Sequence, residues 1–427
     1  MPASRLSSLA QNLRGSVILQ IAGEVRALID AGQPVANLTI GDFDPKQFPI
    51  PRELEDRVVN ALRAGETNYP PGIGVESLRK AIRQFYRDRA GLDFPLECIL
   101  TASGTRPVIY GVYRALVDRG DRVVFGVPQW NNNYYVDMVG GEIVAVETDA
   151  STNFLPTAER LRPVIRGARL LALNSPLNPT GTTFEPDQLA DICDLVLEEN
   201  ARRGPNERPL FVMYDQVYWL LTAPGIKHID PVSLRPAMAD YTIFVDGISK
   251  CFGATGLRVG WAVAPRDVLK PMHDVINHAG ALAPRAEQIA TAEVLTDRPA
   301  VDRYMATMRD AVTARLEAIY HGMVALRDEG LPVDVIRPQG AIYISTRFAL
   351  HGMQTPEGQT LTTDEDIRHY LLNAAGLGTV PFSAFGTQGD HGWFRLSVGV
   401  ISVEEIEALM PRLRSAIEAL ENAAVSS

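Results

Sequence analysis

The chain is poor in the residues and patterns that mark several functional classes. Only three cysteines occur in 427 residues, Cys98, Cys193 and Cys251. They lie far apart, form no CxxC pair and lack metal-ligand spacing, which excludes a disulfide scaffold and a cysteine metal centre. Such sparse usage fits a reducing cytoplasm. No run reaches the ~18 apolar residues that a membrane helix needs. The apolar stretch from Ser16 to Ala22 is soon followed by Glu24 and Arg26, so it does not read as a signal peptide. Positive charge is in deficit: 41 Lys and Arg face 51 Asp and Glu, a formal net charge of −10. An acidic surface repels a phosphate backbone, so nucleic acid is not an expected partner, while a local basic pocket for a small anion remains compatible. HExxH, Walker A and a complete GxGxxG are absent, which leaves metal hydrolysis and nucleotide binding without motif support. Ser77-Leu78-Arg79-Lys80 matches SxxK, but it stands in a helix-like stretch without the companion motifs of a serine hydrolase.

What is present describes a cytoplasmic globular protein of ordinary composition, too long for one simple core. Val17, Ile21, Val25, Leu28 and Ile29 share one helical face, and Gly32 and Pro34 stop that helix. A strand-like run from Val35 to Ile40 follows. Helices are expected over Arg52–Ala64 and Glu76–Arg89, with a loop at Asn68-Tyr69-Pro70-Pro71-Gly72 between them. Short apolar runs then appear at Cys98–Ala102, Arg122–Val127, Ile143–Glu147, Leu170–Leu173, Leu210–Tyr214, Ile243–Val245 and Val259–Val263. Several are separated by helix-like stretches, such as Pro107–Val117 and Pro186–Asn200. That alternation predicts an α/β fold with a mainly parallel, seven-stranded sheet flanked by helices. Val301–Arg327 reads as one long helix, and beyond it a smaller α+β region is expected. The expected division is an N-terminal segment with part of the small domain at 1–50, a large domain at 51–305 and a small domain at 306–427.

In a parallel sheet, chemistry gathers at the carboxyl ends of the strands. After the first run stands Ser103-Gly104-Thr105-Arg106-Pro107, which suits either a plain helix start or an anion site made of free backbone N–H groups. After the second stands Trp130, which could stack on a flat ring or simply pack. After the fourth comes Asn178-Pro179-Thr180-Gly181, a turn by composition that could also present an Asn amide to a ligand. The fifth run ends at Asp215, with Tyr218 three residues on; a carboxylate at a buried strand end implies a cationic partner. The sixth leads to Ser249-Lys250, with Arg258 eight residues later. Lysine after a buried strand is unusual, since most lysines are solvated; a desolvated lysine has a lowered pKa and forms Schiff bases.

Taken in order, these stretches, together with Ile40-Gly41-Asp42, Asn68-Tyr69 and Phe394-Arg395-Leu396-Ser397, resemble the class I aminotransferases, the aspartate aminotransferase family of pyridoxal-phosphate enzymes. The resemblance runs from about residue 35 to the C-terminal region. It implies a large cofactor-binding domain, a small domain, and Lys250 as the residue that holds pyridoxal 5'-phosphate and shuttles a proton. It implies that Asp215 pairs with the cofactor ring nitrogen, that Asn178 and Tyr218 bond its ring oxygen, and that Trp130 stacks on the ring. Ser103, Gly104, Thr105, Ser249 and Arg258 would hold the phosphate. Tyr69 would reach the phosphate of a neighbouring subunit, which implies a homodimer with shared sites. Arg395, Asn178 and Gly41 would form the site for the substrate α-carboxylate, with an amino acid and a 2-oxo acid as the partners.

The match departs in three places. Gly247 stands where many members have a serine. Asn277 stands where the dicarboxylate-specific branch has an arginine, and Thr105 where other branches have a lysine. Arg14 is therefore the expected anchor for a distal substrate carboxylate, with Arg106 and His278 behind it. The favoured donor is aspartate or glutamate, with an acceptor that includes prephenate-type 2-oxo acids. A β-lyase or decarboxylase shares the cofactor residues and stays open as the alternative. A regulator domain is disfavoured, because only about 35 residues precede the first family strand and the chain is acidic.

Overall fold

Six short apolar runs buried on both faces, with the mostly exposed edge run Glu142–Glu147 beside them, become the strands of one sheet. The computed structural model describes residues 5–13 and 15–422. The strands are β1 (Ile99–Ala102), β2 (Arg122–Val127), β3 (Glu142–Glu147), β4 (Leu170–Asn174), β5 (Phe211–Asp215), β6 (Thr242–Gly247) and β7 (Gly260–Val263). Their spatial order is β1-β7-β6-β5-β4-β2-β3. Neighbours run parallel except at β7, which is antiparallel to both β1 and β6.

Side chains alternate across the sheet with period two. Leu100, Val123, Phe125, Leu170 and Ala172 face the helices Thr105–Leu116 and Arg266–His278. Val124, Leu171, Leu173, Val212 and Phe244 face the other way, toward Glu76–Ala90 and Pro186–Arg202. Fully burying each such side chain stabilises the fold by roughly 1.5–3 kcal/mol before entropy is charged against it.

A second, antiparallel sheet holds β8 (Val333–Val335), β9 (Tyr343–Phe348), β10 (Val380–Pro381) and β11 (Trp393–Ser397) in the order β10-β11-β9-β8. The long helix Arg298–Asp328 leads into it and packs on the final helix Val403–Glu418. No helix among the described residues is long and apolar enough to cross a membrane.

The segment expected as a strand over Val35–Ile40 is different. Only Ala36–Asn37 pairs as strand, with Leu377–Gly378. The carbonyls that follow are taken by the second sheet: Leu38 accepts from the Ser397 N–H at 2.8 Å, Ile40 from the Ser397 hydroxyl at 2.7 Å, and Thr39 from the Arg395 guanidinium. The run is extended, but it serves as a ledge for Arg395 rather than as a full ladder.

Candidate active site

The carboxyl ends of the parallel strands open into one pocket of about 620 Å³, closed on another side by the helix Val17–Asp30 through Ile18, Leu19 and Ala22. Among the described residues, four cationic side chains face it (Arg106, Lys250, Arg258 and Arg395), against two carboxylates, Asp42 and Asp215. A protein with a net charge of −10 thus presents a pocket with an excess of positive charge, which suits small anions.

Lys250 rises from the single helical turn Ile248–Cys251 that caps β6. Its ammonium donates to the Gly41 carbonyl and pairs with no carboxylate. Burial lowers its pKa to about 8; Asp42 opposes the shift, while Arg395, Arg106 and Arg258 add to it. An amine near neutrality is a usable nucleophile and base. At the end of β5, Asp215 accepts only the Val217 N–H, at 3.2 Å. Burial raises it to about 6, against the opposing pull of that N–H and of Lys250. No cation makes an ion pair with it among the described residues, which leaves this carboxylate open to a cationic group on a ligand.

Arg395 stands on β11 and is 1% exposed. One nitrogen donates to Asn178 Oδ1 at 3.2 Å and another to the Thr39 carbonyl. Its Nε is buried without a partner. The guanidinium lies 4.9 Å from the ring centres of both Tyr343 and Phe385, so it is sandwiched. A buried guanidinium without a carboxylate, open to the pocket, suits bidentate binding of a planar acid.

The turn after β1 forms a cradle. Gly104 has φ +83°, and a Cβ there would lie 2.3 Å from Arg258 Nη2. Arg258 donates to the carbonyls of Thr255 and Ser103, at 2.7 and 3.2 Å, and makes no ion pair among the described residues. Thr105 opens the helix Thr105–Leu116, whose first turn has free N–H groups, and lines the pocket. Ser249 is buried beside it and lines the same pocket. A side chain at Gly247 would meet the Val259 carbonyl at 2.8 Å, so this strand end has no room for the serine expected elsewhere. Gly260 is tighter: its Cβ would fall 2.5 and 2.7 Å from Gly104 C and Thr105 N. Gly260→Ala must push the cradle backbone aside, and a loss of about 1–3 kcal/mol is expected. Thermal unfolding checks this; an unchanged midpoint contradicts the close approach.

Gly41, Thr105, Trp130, Asn178, Asp215, Tyr218, Ser249, Lys250, Arg258 and Arg395 therefore share one pocket wall. Ser103 and Gly104 sit behind it against Arg258. Tyr69 does not join them: it is 91% exposed. Arg14 lies outside the described residues. Of the two weaker cation candidates, Arg106 lines the pocket and stacks 5.0 Å over Trp130, whereas His278 is exposed at the end of Arg266–His278 and does not. Sequence reasoning missed Tyr343, which lies in the expected small α+β region; its one signal was a polar hydroxyl in an apolar run.

The family profile for aminotransferases of class I and II matches residues 33–413. An aspartate aminotransferase of Rhizobium meliloti (strain 1021) is 31% identical over 413 residues, covering 96% of this chain and 94% of the relative. An aspartate/prephenate aminotransferase of Thermus thermophilus is 30% identical, covering 89% and 92%. Among solved structures, an aspartate aminotransferase from Rhizobium meliloti superposes with a TM-score of 0.88 at 28% identity, covering 98% of this chain and 100% of that one. Fold, pocket and likeness agree: the chain belongs to the class I and II aminotransferases.

Proposed function

We propose that this pocket transfers an amino group from a dicarboxylic amino acid to a 2-oxo acid, with pyridoxal 5'-phosphate as resident cofactor and Lys250 as the residue that holds it. One observation carries the reading. Among the described residues, a desolvated lysine, a half-buried carboxylate with no ion-pair partner and a buried guanidinium without a carboxylate line one pocket. The residues fit the cofactor: the glycine cradle with Arg258 suits a phosphate, and Asp215 suits a protonated ring nitrogen. When bound, the cofactor withdraws electrons from the substrate amine and makes its Cα proton acidic.

The chain's own residues do the rest. Lys250 Nζ would take the proton from the substrate Cα and deliver it to the cofactor carbon that receives the amino group. Asp215 holds a proton on the ring nitrogen. Asn178 and Tyr218 hydrogen-bond the ring oxygen, Trp130 stacks on the ring, and Ser103, Gly104, Thr105, Ser249 and Arg258 hold the phosphate. Arg395 grips the α-carboxylate, with Gly41 leaving space for it. The full exposure of Tyr69 supports a second copy of the chain lying over that loop and sharing the site. The confinement of one sheet to 99–263 and the other to 333–397 supports large and small domains divided near residue 305.

Arg106 is the cation that this reading assigns to the distal carboxylate. It makes no ion pair with an acidic residue among the described residues, stands beside Thr105 and is held over Trp130. Arg106→Ala is expected to raise KM for aspartate and glutamate about 10- to 100-fold, the loss of one charged hydrogen-bonded pair. KM for a monocarboxylic amino acid should stay within about 3-fold, since context shifts such effects by that much. Steady-state kinetics on both donors decides it. An equal change in both, or a dicarboxylate KM that moves only in Arg14→Ala, removes Arg106 from the role. The aminotransferase names of the relatives do not favour a lyase or decarboxylase outcome.

A further inference from the structure

Two tyrosines from different sheets meet in the pocket. Tyr218 follows β5, and Tyr343 opens β9. Their hydroxyls are 2.7 Å apart, and their rings stand edge to face at 5.6 Å and 75°. Both are buried, at 3% and 1% exposure, so the polar ends depend on each other. The other face of Tyr343 supports the Arg395 guanidinium at 4.9 Å. Gly41 leaves the room for this phenol: a Cβ there would lie 2.5 Å from Tyr343 Oη. No other hydrogen bond to the Tyr343 hydroxyl occurs among the described residues.

We propose that Tyr343 is a positioning residue that fixes the Tyr218 hydroxyl and the Arg395 guanidinium as one unit, coupling the site for the ring oxygen to the site for the substrate carboxylate. The inference rests on the proposed amino-transfer reading. Each phenol has one proton. If Tyr218 donates its proton to the ring oxygen, it can only accept from Tyr343. The chain then runs Tyr343 to Tyr218 to the ring oxygen, and each bond strengthens the next. Without the Tyr343 hydroxyl, Tyr218 becomes a weaker donor, negative charge on the ring oxygen is less stabilised, and the bound cofactor holds its proton to higher pH.

The test is a pH titration of the cofactor's visible absorbance in four holoenzymes: wild type, Tyr343→Phe, Tyr218→Phe and the double variant. Tyr343→Phe keeps the ring and its support of Arg395 while removing the hydroxyl. Its spectral pKa is expected to rise by about 0.5 to 1 unit, the size of one hydrogen bond. Tyr218→Phe is expected to shift it further. The double variant should match Tyr218→Phe, because Tyr343 acts through Tyr218. Tyr343→Leu removes the ring as well and should raise KM for every substrate about 3- to 10-fold, as expected when a cation–π support is lost. A wild-type titration in Tyr343→Phe, or a shift that persists in the Tyr218→Phe background, overturns the proposal and leaves amino transfer standing. Absence of a Lys250-bound cofactor in the wild type would instead remove the reading on which it rests.

Discussion

Replacing Lys250 with alanine is expected to reduce amino transfer by at least about 10⁴-fold, because it removes both the covalent attachment and the proton carrier; a positioned proton carrier alone contributes about 10²–10⁴-fold. The structure leaves no substitute. The chain has four other lysines, Lys46, Lys80, Lys227 and Lys270, and all are exposed outside the pocket. Cofactor binding itself should survive in weakened form, since the cradle around Gly104 and Arg258 does not depend on Lys250. Turnover and absorbance of the K250A protein check this. A variant that keeps more than about a hundredth of wild-type turnover would place the proton carrier elsewhere.

Asp215→Asn is the second large effect, with two signatures of opposite sign. In the holoenzyme the amide keeps the shape but cannot hold the proton on the ring nitrogen. Turnover should fall on the order of 10³-fold, as when one preorganised charge stabiliser is removed. Without cofactor the same change should stabilise the fold. Burial raises the Asp215 pKa from 3.8 to about 6. The wild-type fold therefore loses stability as pH rises from about 4 through about 6, and above 6 it carries a largely desolvated charge that makes no ion pair among the described residues. Cofactor-free Asp215→Asn should melt higher than wild type at pH 8, and the gap should close as pH falls toward 4. Melting curves at both pH values decide it. A lower midpoint for the variant at pH 8 would mean that Asp215 already has a cationic partner in the free protein.

Much of this site was legible in the sequence for a physical reason. A strand buried on both faces must be a short apolar run, and the residue that ends it is placed at the pocket edge. Asp215, Lys250 and Asn178 were found by that rule, and their ordered resemblance supplied the roles. The less legible parts are those that depend on packing between distant segments. Helices Ala158–Ile165 and Arg266–His278 carry Pro163 and Pro271 inside them, which read as breakers. Val35–Ile40 looked like a strand because nothing local shows that its carbonyls bind Arg395 and Ser397. Arg106 was ranked behind Arg14 because charge alone does not reveal that it stacks on Trp130. Tyr343 is 125 residues from Tyr218 in the chain, and only the meeting of the two sheets joins their hydroxyls.

The most direct test is to load the purified protein with pyridoxal 5'-phosphate, add glutamate, and measure 2-oxoglutarate formed per site before any acceptor is present. One equivalent should appear as the visible absorbance bleaches, and a 2-oxo acid added afterwards should restore the absorbance and yield its amino acid. Reduction of the loaded protein with borohydride should leave the pyridoxyl group on Lys250, alone among the five lysines. No 2-oxo acid from any donor, or a label on another lysine, would contradict the account.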